Sequence, residues 1–136
     1  MSNELSTALS SLVKETSNTF GTAIGDRFFP HGDVKEETAT KPYATYLLVA
    51  QVQDDTFDAE IDNVLIRIKN VSDSNSKGEV ETNNKLARDL LNNTKLTVAN
   101  HVGVQLIREG QIPAMRSENK LDWISTIDFR TKMQKE

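Results

Sequence analysis

From Val64 to Lys69 the chain alternates without a break. Val64, Ile66 and Ile68 fall on one side, and Leu65, Arg67 and Lys69 fall on the other. A period of two is what a pleated strand presents, so this stretch has to fold as a strand with one apolar face and one largely wet face. The run before it, Ala44 to Val52, also has strand composition. Tyr46, Leu48, Ala50 and Val52 would share one face, with Thr45, Leu47, Val49 and Gln51 on the other. Apolar residues on both faces predict a central strand. The polar turn Gln53-Asp54-Asp55-Thr56-Phe57-Asp58 between the two runs predicts an antiparallel hairpin.

Two segments carry helical spacing instead. Leu5, Leu9, Leu12, Val13 and Thr16 recur on one helical face. Ser2 or Asn3 is placed to cap this helix, which is expected to end near Asn18. A second helix follows Ser72-Asp73-Ser74-Asn75, with Ser76 and Glu79 spaced as a capping box. Its apolar stripe is Val80, Ala87, Leu90 and Leu91, with Leu86 at the border, and Asn92-Asn93 ends it.

Between these elements, Gly25, Pro30, Gly32 and Pro42 punctuate a mostly irregular stretch from Gly21 to Pro42. Arg27-Phe28-Phe29 is the one piece of it that reads as a short strand. Residues 33–41 are charged and threonine-rich and read as a flexible loop. In the last third, Val102, Val104 and Leu106 alternate with Gly103, Gln105 and Ile107, and Gly110 and Pro113 interrupt the run. Leu121, Trp123, Ile127 and Phe129 share one face of a final strand, and 131–136 reads as a frayed polar tail. The order helix, strands, helix, strands gives an α+β class. The expected architecture is one domain over 1–136, a single layer of antiparallel or mixed sheet with two helices packed on one face.

Composition narrows the chemistry. The net charge is −4 and there is no cysteine, so disulfides and thiolate metal sites are excluded. An acidic balance without clustered Lys and Arg gives no footprint for specific nucleic-acid binding. No apolar run approaches a membrane span, and Met1-Ser2-Asn3-Glu4 has no leader character, so neither membrane nor secretion is expected. At 37% hydrophobic residues the core is expected to be thin, completed by contact with other subunits.

No catalytic pattern stands out. His31 lies near Asp33, Glu36 and Glu37 in no metal-ligand spacing, and His101 reads as a turn residue. Tyr43, Tyr46, His31 and Arg108 are the residues from which a ligand pocket would have to be built. Asp54, Asp55, Asp58, Glu60 and Asp62 form an acidic run around the hairpin turn. Carboxylates can do acid–base work only when they converge in a cleft. On a hairpin tip they diverge, so a partner-facing charge patch is the expectation. Phe28 and Phe29 are adjacent and point opposite ways in an extended segment, so one of them is an interface candidate. Trp123, on the apolar face, is expected in the core. No cofactor, metal or enzymatic activity is expected.

The layout also carries a resemblance. An N-terminal helix leads to Arg27-Phe28-Phe29-Pro30-His31-Gly32, a variable loop follows, and Lys41-Pro42-Tyr43-Ala44-Thr45-Tyr46 opens a strand. Val71-Ser72-Asp73-Ser74 precedes the second helix, and Asp122-Trp123-Ile124-Ser125-Thr126-Ile127-Asp128-Phe129-Arg130 closes the chain. This order resembles the tail terminator, or tail-completion, proteins of long-tailed bacteriophages and prophages. The resemblance implies a homo-oligomeric ring, commonly a hexamer, on the head-proximal end of the tail tube. It implies the tail tube protein and a head–tail connector protein as partners. It further implies assembly in the host cytoplasm and residence in the virion. The ring would use the sheet edge and the 33–41 loop, with the acidic residues facing tube or lumen. Competing readings are another neck or tail component, such as a head-completion or tube protein, a small ligand-binding domain or enzyme, and a regulatory binding module.

Overall fold

The computed structural model describes residues 3–14, 19–30, 40–53, 55, 60–73, 77–102, 104–116 and 122–135. The elements are α1 (Asn3–Val13), α2 (Thr19–Ala23), β1 (Phe28–Pro30), β2 (Tyr43–Gln53), β3 (Ile61–Ser72), α3 (Gly78–Leu91), β4 (His101–Val102), β5 (Ile107–Arg116) and β6 (Trp123–Lys135). The strands form one mixed sheet. Its order is β1-β2-β3-β6, and beyond β6 come β5 along residues 123–130 and β4 along residues 134–135. Every pairing is antiparallel except the short parallel contact of β1 with β2. This is the α+β single-sheet class that the alternation at Val64–Lys69 demands.

The core lies on one face of that sheet. Val64, Ile66 and Ile68 of β3 and Ile127, Phe129 and Met133 of β6 point into it. Leu5, Leu9 and Val13 of α1, Phe20 and Ile24 at α2, and Ala87 and Leu91 of α3 cover them. Burying such side chains stabilises by roughly 1.5–3 kcal/mol each, which is why the 3.6-residue stripes of the helices face the period-two stripe of the sheet. Val98, Val104 and Leu106 also reach this core. They are held by a narrow excursion in which Leu96 N–H donates to Val104 O (2.8 Å) and Leu106 N–H donates to Thr94 O (2.9 Å).

Several local expectations are corrected. Phe20-Gly21 lies in a short third helix, Thr19–Ala23, rather than an irregular stretch, because Phe20 is buried against the core. α1 stops at Val13, short of Asn18. Residues 131–135 are not frayed: β6 runs to Lys135, pairs with β3 and β4, and buries Thr131 and Met133. Ser76 lies outside the described residues, but the capping box is replaced at its other member. The N-cap of α3 is Lys77, without a side-chain cap, and Glu79 accepts a hydrogen bond from the Ser72 hydroxyl. Asn83 and Asn84, not expected inside, are buried on α3. Asn70 Nδ2 of β3 donates to Asn84 Oδ1 (3.2 Å), and Ser125 Oγ of β6 donates to Val80 O (3.2 Å). A polar seam therefore runs between α3 and the sheet.

The two short motifs around Phe28 and Pro42 meet in space. Phe28 pairs with Ala44, Phe29 with Thr45 and Pro30 with Tyr46. Arg27 Nε donates to Pro42 O (2.9 Å), and Ala44 N–H donates to Arg27 O (2.9 Å). Gly25 and Asp26 turn the chain into β1 with φ of 59° each, a region that glycine enters without a steric penalty. Lys41 forms an ion pair with Asp122 (3.2 Å), tying the start of β2 to the start of β6. The 33–39 part of the expected flexible loop lies outside the described residues.

Candidate interaction surface

The face of the sheet away from the helices is built by the alternate residues of four long strands. Register places Leu47, Arg67, Asp128 and Gly110 in one row across it, and Ala50, Leu65, Arg130 and Ile107 in the next. Arg67 Nε and Nη2 donate to the two carboxylate oxygens of Asp128 (2.9 and 3.1 Å), a forked pair across β3 and β6. The hydrogen bond to Asp128 holds the Arg67 guanidinium above its already high ordinary pKa, against the opposing effect of burial. Arg130 Nη2 and Glu109 Oε1 lie 2.9 Å apart and join β6 to β5. The centre of the face therefore carries charges that satisfy one another.

Its flanks are apolar. Among the described residues the exposed large hydrophobics are Leu47, Val49 and Val52 on β2 and Ile107, Ile112 and Met115 on β5, between 39% and 59% exposed. All six lie on the two outermost long strands. Leu47 and Val52 of β2 and Ile107, Ile112 and Met115 of β5 share the parity of the helix-free face; Val49 sits at a bulge in β2. Toward the opposite end of that face Tyr43, Thr45 and Val71 are buried, so the open portion is the part from Leu47 to Val52 and its neighbours across the sheet. Both strands also present open edges. β1 covers β2 only at Ala44–Tyr46, and no strand among the described residues pairs with the outer edge of β5, where Asn92 Oδ1 accepts the Arg108 N–H (2.9 Å).

The expected site residues separate into different roles. Phe28 is not an interface anchor. It is 1% exposed, stacked on Tyr46 (4.8 Å between centroids) and edge-on to Phe20 (6.4 Å), because its parity in β1 points it at the helices. Phe29, on the other side of β1, is half-buried. Asp54 and Asp58 lie outside the described residues. Asp55 is exposed and accepts the Ile61 N–H (3.1 Å), Asp62 accepts from Gln51 Nε2 (2.8 Å), and Glu60 lies 3.9 Å from Lys135 Nζ. These three carboxylates and His101 border a shallow hollow of about 150 Å³. Among the described residues no group of three or more His, Asp or Glu is arranged to hold a metal ion.

The residues proposed for a ligand pocket do not converge. Tyr46 is in the core with Phe28, Tyr43 is buried on the opposite face of β2, Arg108 is on β5, and His31 lies outside the described residues. Trp123 is half-buried, with the Arg116 guanidinium 4.4 Å from its ring centroid. Among the described residues no helix is long and apolar enough to cross a membrane.

The β5 flank was not foreseen as a strand, since its register shifts between Arg108 and Gly110 and again between Ile112 and Met115. Two irregularities within one strand destroy the alternation that would have marked it. The usable signal was weaker: Ile107, Ile112 and Met115 are large apolar residues with no helical or strand period.

No family model and no curated protein matches this chain. Among solved structures, it is similar to a chain of the virion of a native gene transfer agent (GTA) particle. The TM-score is 0.73 at 15% sequence identity, over 98% of this chain and 99% of that one, a likeness of fold.

Proposed function

We propose that this chain is a structural protein of a phage-like virion, and that it caps a tail tube as a ring, ends tube growth and offers a surface for joining the head. The observation that carries the reading is end-to-end: the fold coincides over nearly the whole length of both chains with a component of a virion particle. The order of motifs described above supports the finer assignment. Exposed apolar flanks on a sheet with open edges suit a subunit that completes its surface in an assembly. The role is one of binding, without catalysis, cofactor or metal. Its partners would be further copies of itself, a tail tube protein and a head–tail connector.

The test is mass by light scattering on the purified chain, alone and mixed with tail tubes, with electron microscopy of the mixture. Closed rings, or caps at one end of each tube, are the expected result. Open filaments would reassign the chain as a tube protein. A monomer that ignores tubes would sink the capping reading.

A further inference from the structure

We propose that neighbouring copies join by sheet continuation, the β5 edge of one copy pairing antiparallel with the Leu47–Gln53 edge of β2 in the next. This inference rests on the ring reading for its closure, while the edge pairing itself follows from the sheet.

The strands β2, β3, β6 and β5 alternate in direction, each antiparallel to its neighbour. The two outer strands of this set of four therefore run opposite ways. A second copy placed alongside in the same orientation brings its β2 against the first copy's β5 in antiparallel sense. That is the pairing in which unpaired N–H and C=O groups of both edges are satisfied. The contact is heterologous, so each copy uses one edge of each kind, and a closed ring leaves neither exposed.

Each edge leaves a short free stretch. β1 occupies β2 at Ala44–Tyr46, which leaves seven residues, Leu47–Gln53. On β5 the Arg108 N–H is already taken by Asn92 Oδ1 (2.9 Å), so the free stretch runs from Glu109 to Pro113, where the missing N–H of proline interrupts a ladder. Setting these stretches against each other with their faces matched puts Ile112 opposite Leu47 and Gln111 opposite Leu48. The apolar flanks described above then meet at the seam. The occupant of both edges is thus a second copy of this chain.

Because the chain has no cysteine, one engineered pair reads the contact directly. The double variant Leu47→Cys, Ile112→Cys is oxidised under conditions where the wild type assembles, and the products are separated without reductant. Within one copy, β3 and β6 lie between β2 and β5, so these positions are at least about 14 Å apart, three strand spacings. A disulfide needs Cα atoms within about 7 Å, so any bond formed joins two copies. The expected result is a ladder of covalent oligomers that ends at the size of the ring. Each single-cysteine variant should give no ladder. Leu47→Lys, tested by light scattering, should lose association while its circular dichroism is unchanged. Rings that form without the ladder would overturn the edge pairing and leave the capping reading standing. A double variant and a wild type that both stay monomeric, alone and with tubes, would overturn both.

Discussion

Truncating Phe28 removes a ring held between Phe20 and Tyr46. Phe28→Ala is expected to cost about 3–5 kcal/mol, read as a lower midpoint in urea unfolding. A change under about 1 kcal/mol would be the behaviour of a surface anchor instead and would contradict the packing. Gly25→Ala places a Cβ 2.6 Å from Arg27 Nη1 at a φ of +59°. The guanidinium can move aside, so the expected loss is mostly backbone strain, about 1–2 kcal/mol by the same measurement. Residue-level roles were the least legible in the sequence. Two adjacent phenylalanines in a strand are equivalent until something fixes which face is covered. The acidic run read as a bare patch because its local partners, Ile61 N–H for Asp55 and Gln51 for Asp62, depend on how the hairpin closes.

At the scale of elements, the end of β6 separates two pictures sharply. Met133 is 4% exposed, so Met133→Ala is expected to destabilise the fold by about 2–5 kcal/mol, measured by denaturant unfolding. A frayed tail would give no change. The tail looked polar because Arg130, Lys132, Gln134 and Lys135 occupy the exposed positions, and two buried residues among them, Thr131 and Met133, are too few to announce a strand. The Arg67–Asp128 fork is only partly buried, with side chains 38% and 19% exposed. A double-mutant cycle across it should yield a coupling of no more than about 1 kcal/mol, since solvent screens such a pair. β3 and both long helices were readable because each carries an uninterrupted period; β2 was readable as a strand, but its bulge turns Val52 to the face opposite Tyr46 and Leu48 instead of the shared face expected. β5 was not, because its bulges break the period, and β1 owes its pairing to a contact made across the 31–42 segment.

For the whole molecule, the helix-covered sheet face was legible from one strand, whereas the exposed flanks of the other face required the sheet order. Ile112→Lys changes an exposed side chain and is expected to alter unfolding stability by no more than about 0.5 kcal/mol. It should nonetheless reduce the assembled mass seen by light scattering, because the substituted position lies at the proposed seam. Equal loss of stability and of assembly would point to misfolding. The polar seam between α3 and the sheet bears on how such an assembly would carry force. A greasy layer lets a helix creep along a sheet, since one apolar contact replaces another. Here, sliding α3 would strand Asn70, Asn84 and Ser125 together, each lost hydrogen bond costing about 1–3 kcal/mol in a dry layer. The seam works as a toothed joint, so a pull applied at the sheet edge reaches the helices with little slip.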